Sequence, residues 1–514
     1  MFTPSLYFAN GRCNPAYLKL DLYCKGLKID GSCLLDAEGR RVIRNRAGLG
    51  SGLELIVGRD MACNTPILEK WVARTPFLLV REDESGGTGT NAGSTYAIYR
   101  TKDGSPARGA ALNRDQAKQY ASMGLEPEEG PKHDPKTGRI TRAEAYAAAD
   151  LSNYERVDSV ILPVEPRWYS WRTSTGALMS RIGCLQGTYL GVYWGPRCNN
   201  WAPNGEAEFC KFCTEGQNLG REEDLEKTVD DLVETVIAAR QESGITFVHF
   251  NCGYVDGNAY WELLEPAMRA VKDKTGLLVG MQAPPEADFD NYRRAKDLGV
   301  NNMSFCFEVL DPARFAEIGP GKARRGGLQR YLDAIDFCAN QVGFDTVNGE
   351  IIAGLESQES SIQAIDWIVD HGAIPTVCVH RPLKGAAYQD LDPPAVEEMV
   401  PIFGHMYDRC IQNGLPIGIA PNVHVSLILM PDECRYLSTN PDAKPLTRAK
   451  NALMHRVFTW IFNNRWAKVR VLSDSEFAAL DEKMKLRAEK LIEEAKADLP
   501  VYSSASAEGA RSNS

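Results

Sequence analysis

The chain has 514 residues, 44% of them hydrophobic and 25% charged, with a formal net charge of −10. That length allows two or more domains, one large enough for an α/β barrel, and the acidic balance argues against an electrostatic grip on nucleic acid or on an anionic membrane surface. No apolar run is long enough to span a membrane, and Met1–Phe8 lacks the charged start and apolar core of a secretory signal. The expectation is therefore a cytoplasmic protein whose 14 cysteines are reduced.

In chain order, residues 1–82 read as a β-rich N-terminal domain with strands at Leu53–Val57 and Phe77–Val80. Gly48, Gly50 and Gly52 precede a strand rather than link a strand to a helix, so they mark a tight turn and not a phosphate cradle. Residues 83–166 read as a polar insertion or linker with one clear strand, Tyr96–Tyr99, and an exposed loop at Pro127–Pro135. Over 167–440, strand-like runs alternate with amphipathic segments. The strands are Leu185–Trp194, Thr246–Asn251, Gly276–Gln282, Asn302–Glu308, Asp345–Ala353 and Ile374–Val379. The helical segments are Leu225–Val236 (with Glu222, Glu223 and Asp224 at its N-terminus), Tyr260–Lys272, Asn291–Leu298, Leu328–Asn340, Ser361–His371 and Val396–Asn413. Residues 441–514 read as C-terminal helices, Glu476–Asp498 the charged one, and a disordered tail from Val501.

Connections this long exclude hairpins and require parallel strands joined by right-handed crossovers. The expected fold is α/β: a partial (β/α)6-type TIM barrel with a β-rich N-terminal domain and a C-terminal helical extension.

Cys198, Cys210 and Cys213 form a C-x11-C-x2-C loop directly after the first barrel strand, at the mouth where such barrels carry their active sites. A C-x2-C pair serves zinc or iron–sulfur equally. A structural zinc site wants a fourth ligand nearby, and the next His and Cys are His249 and Cys252. Three thiolates leave the fourth iron of a [4Fe–4S] cube open to a small molecule. Cys184, Cys252, Cys306, Cys338 and Cys378 lie in apolar runs and read as small buried hydrophobes.

This loop, with Phe212 just before its last cysteine, resembles the radical S-adenosylmethionine (SAM) superfamily, and the likeness continues from Leu185 to about Pro393. Phe247–Gly253 is similar to the second-strand segment that meets the SAM amino group, which implies roles for Asn251 and Gly253. Ser304–Glu308 with Asp311-Pro312 resembles the fourth strand of biotin and lipoyl synthases, whose acidic residue, here Glu308, binds the ribose. Ile351–Glu356 resembles the fifth-strand glycine motif near the adenine, here Gly354, and Glu317–Lys322 is similar to biotin-synthase-like members. The superfamily spacing is C-x3-C-x2-C, so the first gap is longer here; extending it costs only about 1 kcal/mol of closure entropy.

The resemblance implies a [4Fe–4S] cluster, SAM as cofactor, and reductive cleavage to a 5′-deoxyadenosyl radical that takes hydrogen from a small-molecule substrate. It also implies a flavodoxin- or ferredoxin-type electron donor. Two rivals are an aminocarboxypropyl-radical enzyme and a non-catalytic zinc-binding barrel. The remaining cysteines form no second C-x2-C group and no D-x-H-x-x-G cobalamin signature occurs, which favours a single-cluster enzyme.

Each site residue also has a plainer role open to it. Phe212 suits covering the cluster as well as touching SAM, and Gly354 suits close strand–helix approach. Asn251 and Gly253 suit a strand-end turn, whereas Glu308, closing an apolar strand, needs partners if buried. Gln282 and Glu286 flank Pro284-Pro285 and read mainly as a strand end. His380, Arg381 and Lys384 suit either an anion at the mouth or a solvated rim. Asn422, His424 and Ser426 alternate as on a strand, with His424 the best candidate for a core histidine.

Overall fold

The computed structural model describes residues 4–33, 44–45, 52–82, 96–110, 116, 118, 121–123, 150–201 and 208–497. The turn around Gly48 and Gly50, the loop Pro127–Pro135 and the tail from Val501 lie outside the described residues.

The C-terminal sheet follows from near-continuous apolar runs, the signature of strands covered on both faces. Its parallel strands are β1 (Leu190–Tyr193), β2 (Phe247–Asn251), β3 (Leu278–Gln282), β4 (Asn302–Glu308), β5 (Thr346–Ala353) and β6 (Ile374–Val379). They pair in sequential order. Cys184–Leu185 adds an antiparallel edge to β1. The expected run Leu185–Trp194 is thus broken: Gly187, at φ 84°, turns the chain back, a conformation that favours glycine.

The helices are α1 (Val229–Ser243), α2 (Tyr260–Thr275), α3 (Asp290–Leu298), α4 (Gly327–Asp336), α5 (Gln358–Asp370) and α6 (Val396–Gln412). Helix α2 buries Tyr260, Trp261, Leu264, Ala267, Met268 and Val271, the spacing of one helical face. Helix α1 starts later than its acidic run implies. Thr228 and Asp231 form a reciprocal capping box that satisfies its first backbone donors, and Leu225 stays outside, exposed.

The parallel sheet does not close on itself: β6 and Cys184–Leu185 are its two edges. Most of residues 416–431 line the lumen, and the segment meets the second edge through a Gly187–Val425 bridge. Asn422, His424 and Ser426 therefore sit on an irregular segment and not on a sheet strand. Two helices follow, α7 (Pro445–Ile461) and α8 (Asp474–Ala497).

The N-terminal sheet runs in the order 28–29, 77–81, 96–101, 154–161, 52–57, with 44–45 and 61–66 both pairing to 52–57. Tyr96–Thr101 and Tyr154–Ile161 are central in it, so the sheet continues past residue 82 and a boundary there would cut through it. The polar stretch supplies two of its strands because Tyr96, Ala97 and Ile98 are buried there.

One apolar core runs through both sheets. Polar ties reinforce the junction. Lys19 Nζ meets Glu433 Oε2 at 2.7 Å, and Tyr23 donates to Ser426 O at 2.6 Å. Arg381 donates to Asn64 Oδ1 at 3.2 Å and Leu427 O at 3.1 Å, under the Tyr23 ring. Among the described residues, no helix is long and apolar enough to cross a membrane.

Candidate active site at the mouth of the open barrel

The thiol loop leaves β1 at its C-terminal end and is held by neighbours on both sides. Cys198 lies against the end of β2, where its Sγ accepts a hydrogen bond from Tyr254 N at 3.3 Å. A side chain on Gly253 would overlap Cys198, its Cβ falling 2.9 Å from Sγ. Cys213 N donates to Cys210 O at 2.9 Å, closing the C-x2-C turn. Cys213 Sγ accepts from Glu215 N at 3.4 Å.

The long first gap is clamped to the short helix Pro320–Arg325. Gly321 N donates to Glu208 O at 3.1 Å, Arg325 Nε donates to Asn200 Oδ1 at 3.0 Å, and Arg324 pairs with Glu208. Trp201 stacks on Phe209 with ring centres 4.4 Å apart.

All three thiols border one cavity of about 830 Å³ that occupies the barrel lumen. Among the described residues, no three His, Cys, Asp or Glu side chains gather tightly enough to hold a single metal ion. Burial pushes the Cys210 thiol up to about 12 and raises Cys213 as well. These sulfurs would ionise only beside a strong cationic partner.

Phe212, Asn251, Gly253 and Glu308 line the same cavity. Gly354 does not: its φ is 93° and a Cβ there would meet the Pro394 ring at 2.8 Å, so it permits a close turn outside the lumen. Glu308 ends β4 in a left-handed conformation, φ 65°, beside a slip in the β4–β5 register. Lys322 Nζ, from the clamping helix, meets both its oxygens at 2.8 and 2.7 Å and donates to Cys306 O at 2.7 Å. Burial pushes the Glu308 carboxyl up to about 7 while the Lys322 ammonium pulls it back.

Several lumen groups escaped the sequence reading. Gln282 Nε2 donates to Glu350 Oε2 at 2.6 Å, and the Cys306 thiol donates to the same oxygen. Cys252, Cys306 and Cys378 border the cavity, so three cysteines read as core hydrophobes face the site; Cys184 and Cys338 are buried as expected. The period-two alternation of Ser304, Cys306 and Glu308, and of Asn348 and Glu350, was the available signal. His249 lines the lumen with Nε2 unpartnered, and burial pushes it down to about 4. Glu215 and Glu223 also line the cavity; burial and Glu223 together push Glu215 up to about 7.

Other candidates divide. Gln282 and His424 border the cavity, whereas Glu286 is a buried anchor accepting from Trp261 N at 2.5 Å and Asn291 Nδ2 at 3.1 Å. Arg381 is committed to the domain junction, and His380 lies off the lumen, edge-on to Tyr388 at 6.2 Å. Lys384 is exposed. Asn422 Nδ2 donates to Gly244 O at 3.1 Å, and Ser426 Oγ donates to Glu54 Oε1 at 3.0 Å, both structural.

No protein-family profile matches the chain. Bacteriochlorophyllide c C-7(1)-hydroxylase of Chlorobaculum limnaeum is 23% identical over 290 residues, 51% of this chain and 65% of that protein. Among solved structures, coproporphyrinogen III oxidase from Escherichia coli, described as a radical SAM enzyme, matches at 16% identity and TM-score 0.31, over 44% of this chain and 52% of that one. The radical SAM methyltransferase TsrM from Kitasatospora setae, solved with cobalamin and a [4Fe–4S] cluster, matches at 13% identity and TM-score 0.29, over 50% and 47%. The chain thus spans about half to two thirds of the length of these proteins.

The open parallel sheet with the thiol loop after its first strand is the partial (β/α)6-type barrel expected from the sequence. The [4Fe–4S] cluster and SAM implied by the sequence resemblance fit the donor set present here. Two of the three sulfurs already accept backbone N–H bonds, which favour a ligating thiolate. The lumen also carries a buried carboxylate, Glu308, suited to accepting hydroxyl hydrogen bonds.

Proposed function

We propose that this chain is a radical SAM enzyme acting on a bulky, mostly apolar small molecule. Cys198, Cys210 and Cys213 would hold a [4Fe–4S] cluster, with SAM placed by Phe212, Asn251, Gly253 and Glu308. The observation that carries the reading is the convergence of the three thiols and Glu308 on one cavity at the mouth of an open parallel barrel. A bound cluster, reduced by an external one-electron donor, would supply the electron that breaks the C5′–S bond of SAM, giving methionine and a 5′-deoxyadenosyl radical.

The chain's own residues do the positioning. Lys322 fixes the Glu308 carboxylate, which accepts hydrogen bonds from ribose hydroxyls. Gly253 leaves the space that Cys198 fills. Walls drawn from every barrel strand and from 416–431 enclose the reacting region and exclude water. A cavity of about 830 Å³ leaves room for a large substrate beside SAM. The Chlorobaculum relative is named for a bacteriochlorophyllide, and a ring-sized substrate of that kind agrees with this volume. The Gln282–Cys306–Glu350 cluster gives the lumen one polar wall against which such a molecule would be oriented. A small one-electron protein of the flavodoxin or ferredoxin type is the expected reductant.

Anaerobic reconstitution tests this. The protein should bind about four irons per chain and release 5′-deoxyadenosine from SAM under dithionite. Replacing Cys198, Cys210 and Cys213 together by alanine should abolish both. Iron content unchanged in the triple variant would sink the assignment, and methylthioadenosine as product would move it to aminocarboxypropyl chemistry.

A further inference from the structure

Helix α7 exposes an apolar face that the barrel does not use. Leu446 is 85% exposed, Leu453 63%, Trp460 58% and Val457 44%. At 100° per residue these four fall within one sector of roughly 60°. The opposite side of the helix faces inward: Asn451 is buried, and Met454, His455 and Phe458 line the far end of the lumen. Exposed Lys450 and Arg456 stand on either flank of the apolar sector.

Charge sets this segment apart from the chain around it. From Lys444 to Arg470 there are seven Lys and Arg and no Asp or Glu, on a protein of net charge −10. Arg448 pairs with Asp442 and Arg470 with Glu476, both acids lying just outside the segment. Among the described residues, Lys450, Arg456 and Arg465 form no ion pair, and Arg465 lies over the Trp460 ring at 5.8 Å. Trp466, just past the helix, is also exposed and borders the lumen.

We propose that α7 docks this protein on an anionic lipid bilayer, lying in the interface with Leu446, Leu453, Val457 and Trp460 in the headgroup–acyl boundary. A cationic amphipathic helix with Leu and Trp on its apolar face has the physical character of such an anchor. Charge complementarity selects the occupant. A second copy would bring two cationic faces together, while an anionic surface neutralises them. Docking would also set the far end of the lumen beside the bilayer, where apolar molecules concentrate. The proposal needs neither cluster nor SAM, so it stands or falls separately from the catalytic reading.

Vesicle flotation of the full-length protein tests it. The chain should float with phosphatidylcholine vesicles containing phosphatidylglycerol at about 30% and not with phosphatidylcholine alone, more weakly as salt rises. The Lys450→Glu/Arg456→Glu pair should lower the bound fraction at least about tenfold, and Leu453→Ser/Trp460→Ser should do the same with the thermal midpoint unchanged. Four results would each overturn the proposal: no flotation on anionic vesicles; equal flotation on neutral ones; variants that bind like the wild type; or a concentration-dependent dimer that the Leu453/Trp460 pair abolishes.

Discussion

Gly253 has no side chain where Cys198 needs the space, and this is the most local requirement of the site. Substituting Gly253→Ala should displace the thiol while leaving the β2 ladder intact. Iron bound after reconstitution should fall severalfold with far-ultraviolet circular dichroism unchanged; full iron loading would show that the loop yields easily. Glu286 makes a pH-dependent claim. Burial pushes its carboxyl up from 4.5 to about 7, so the folded chain holds this proton more tightly than the unfolded one. Its contribution is complete below pH 4.5 and is lost as pH climbs through 7. Relative to wild type, Glu286→Gln should gain up to about 3 kcal/mol between pH 4.5 and 8, read by urea denaturation across that range. A constant difference between the two proteins would contradict it.

At the scale of elements, the helix Pro320–Arg325 matters most, because it touches both halves of the site. It holds the thiol loop through Glu208 and Asn200, and presents Lys322 to Glu308. Gly321 allows the approach: a Cβ there would come 2.5 Å from Asn200 Cγ and Oδ1. Gly321→Ala should therefore cost about 1–3 kcal/mol and weaken cluster retention, measured as the rate of iron loss to a chelator; unchanged retention would separate the helix from the loop. The resemblance pointed to this segment but assigned Lys322 no role, since its partner lies fourteen residues away, beyond the intervening helix Pro312–Ile318. Helix boundaries were similarly half legible. The apolar period located α2 and α6 closely, whereas the start of α1 was set by the Thr228 hydroxyl and not by the acidic run before it.

Across the whole molecule, the two sheets share one core, and a buried ion pair joins Lys19, on the helix Pro15–Lys25, to Glu433, just after the lumen-lining segment. Replacing Lys19→Met leaves Glu433 buried without its cation and should cost about 3–5 kcal/mol. Both sheets should then melt together at a lower temperature. Calorimetry showing the N-terminal sheet unfolding alone would mean that the junction is weak. Net charge misleads at this scale: −10 averages over a cationic stretch on α7, and exposure, not composition, makes that stretch available.

The sequence alone determined the order of β-α units, the parallel open barrel and the thiol loop after its first strand. Each of these depends on neighbours within a few residues or on a local period. Only the tertiary structure decided that Gly354 turns away from the lumen, that Arg381 serves the junction, and that Cys306, Glu350 and Gln282 share one wall. Those groups come from strands separated by up to 68 residues. Strand register and twist, set by the packing of the whole sheet, choose which side chains point inward together.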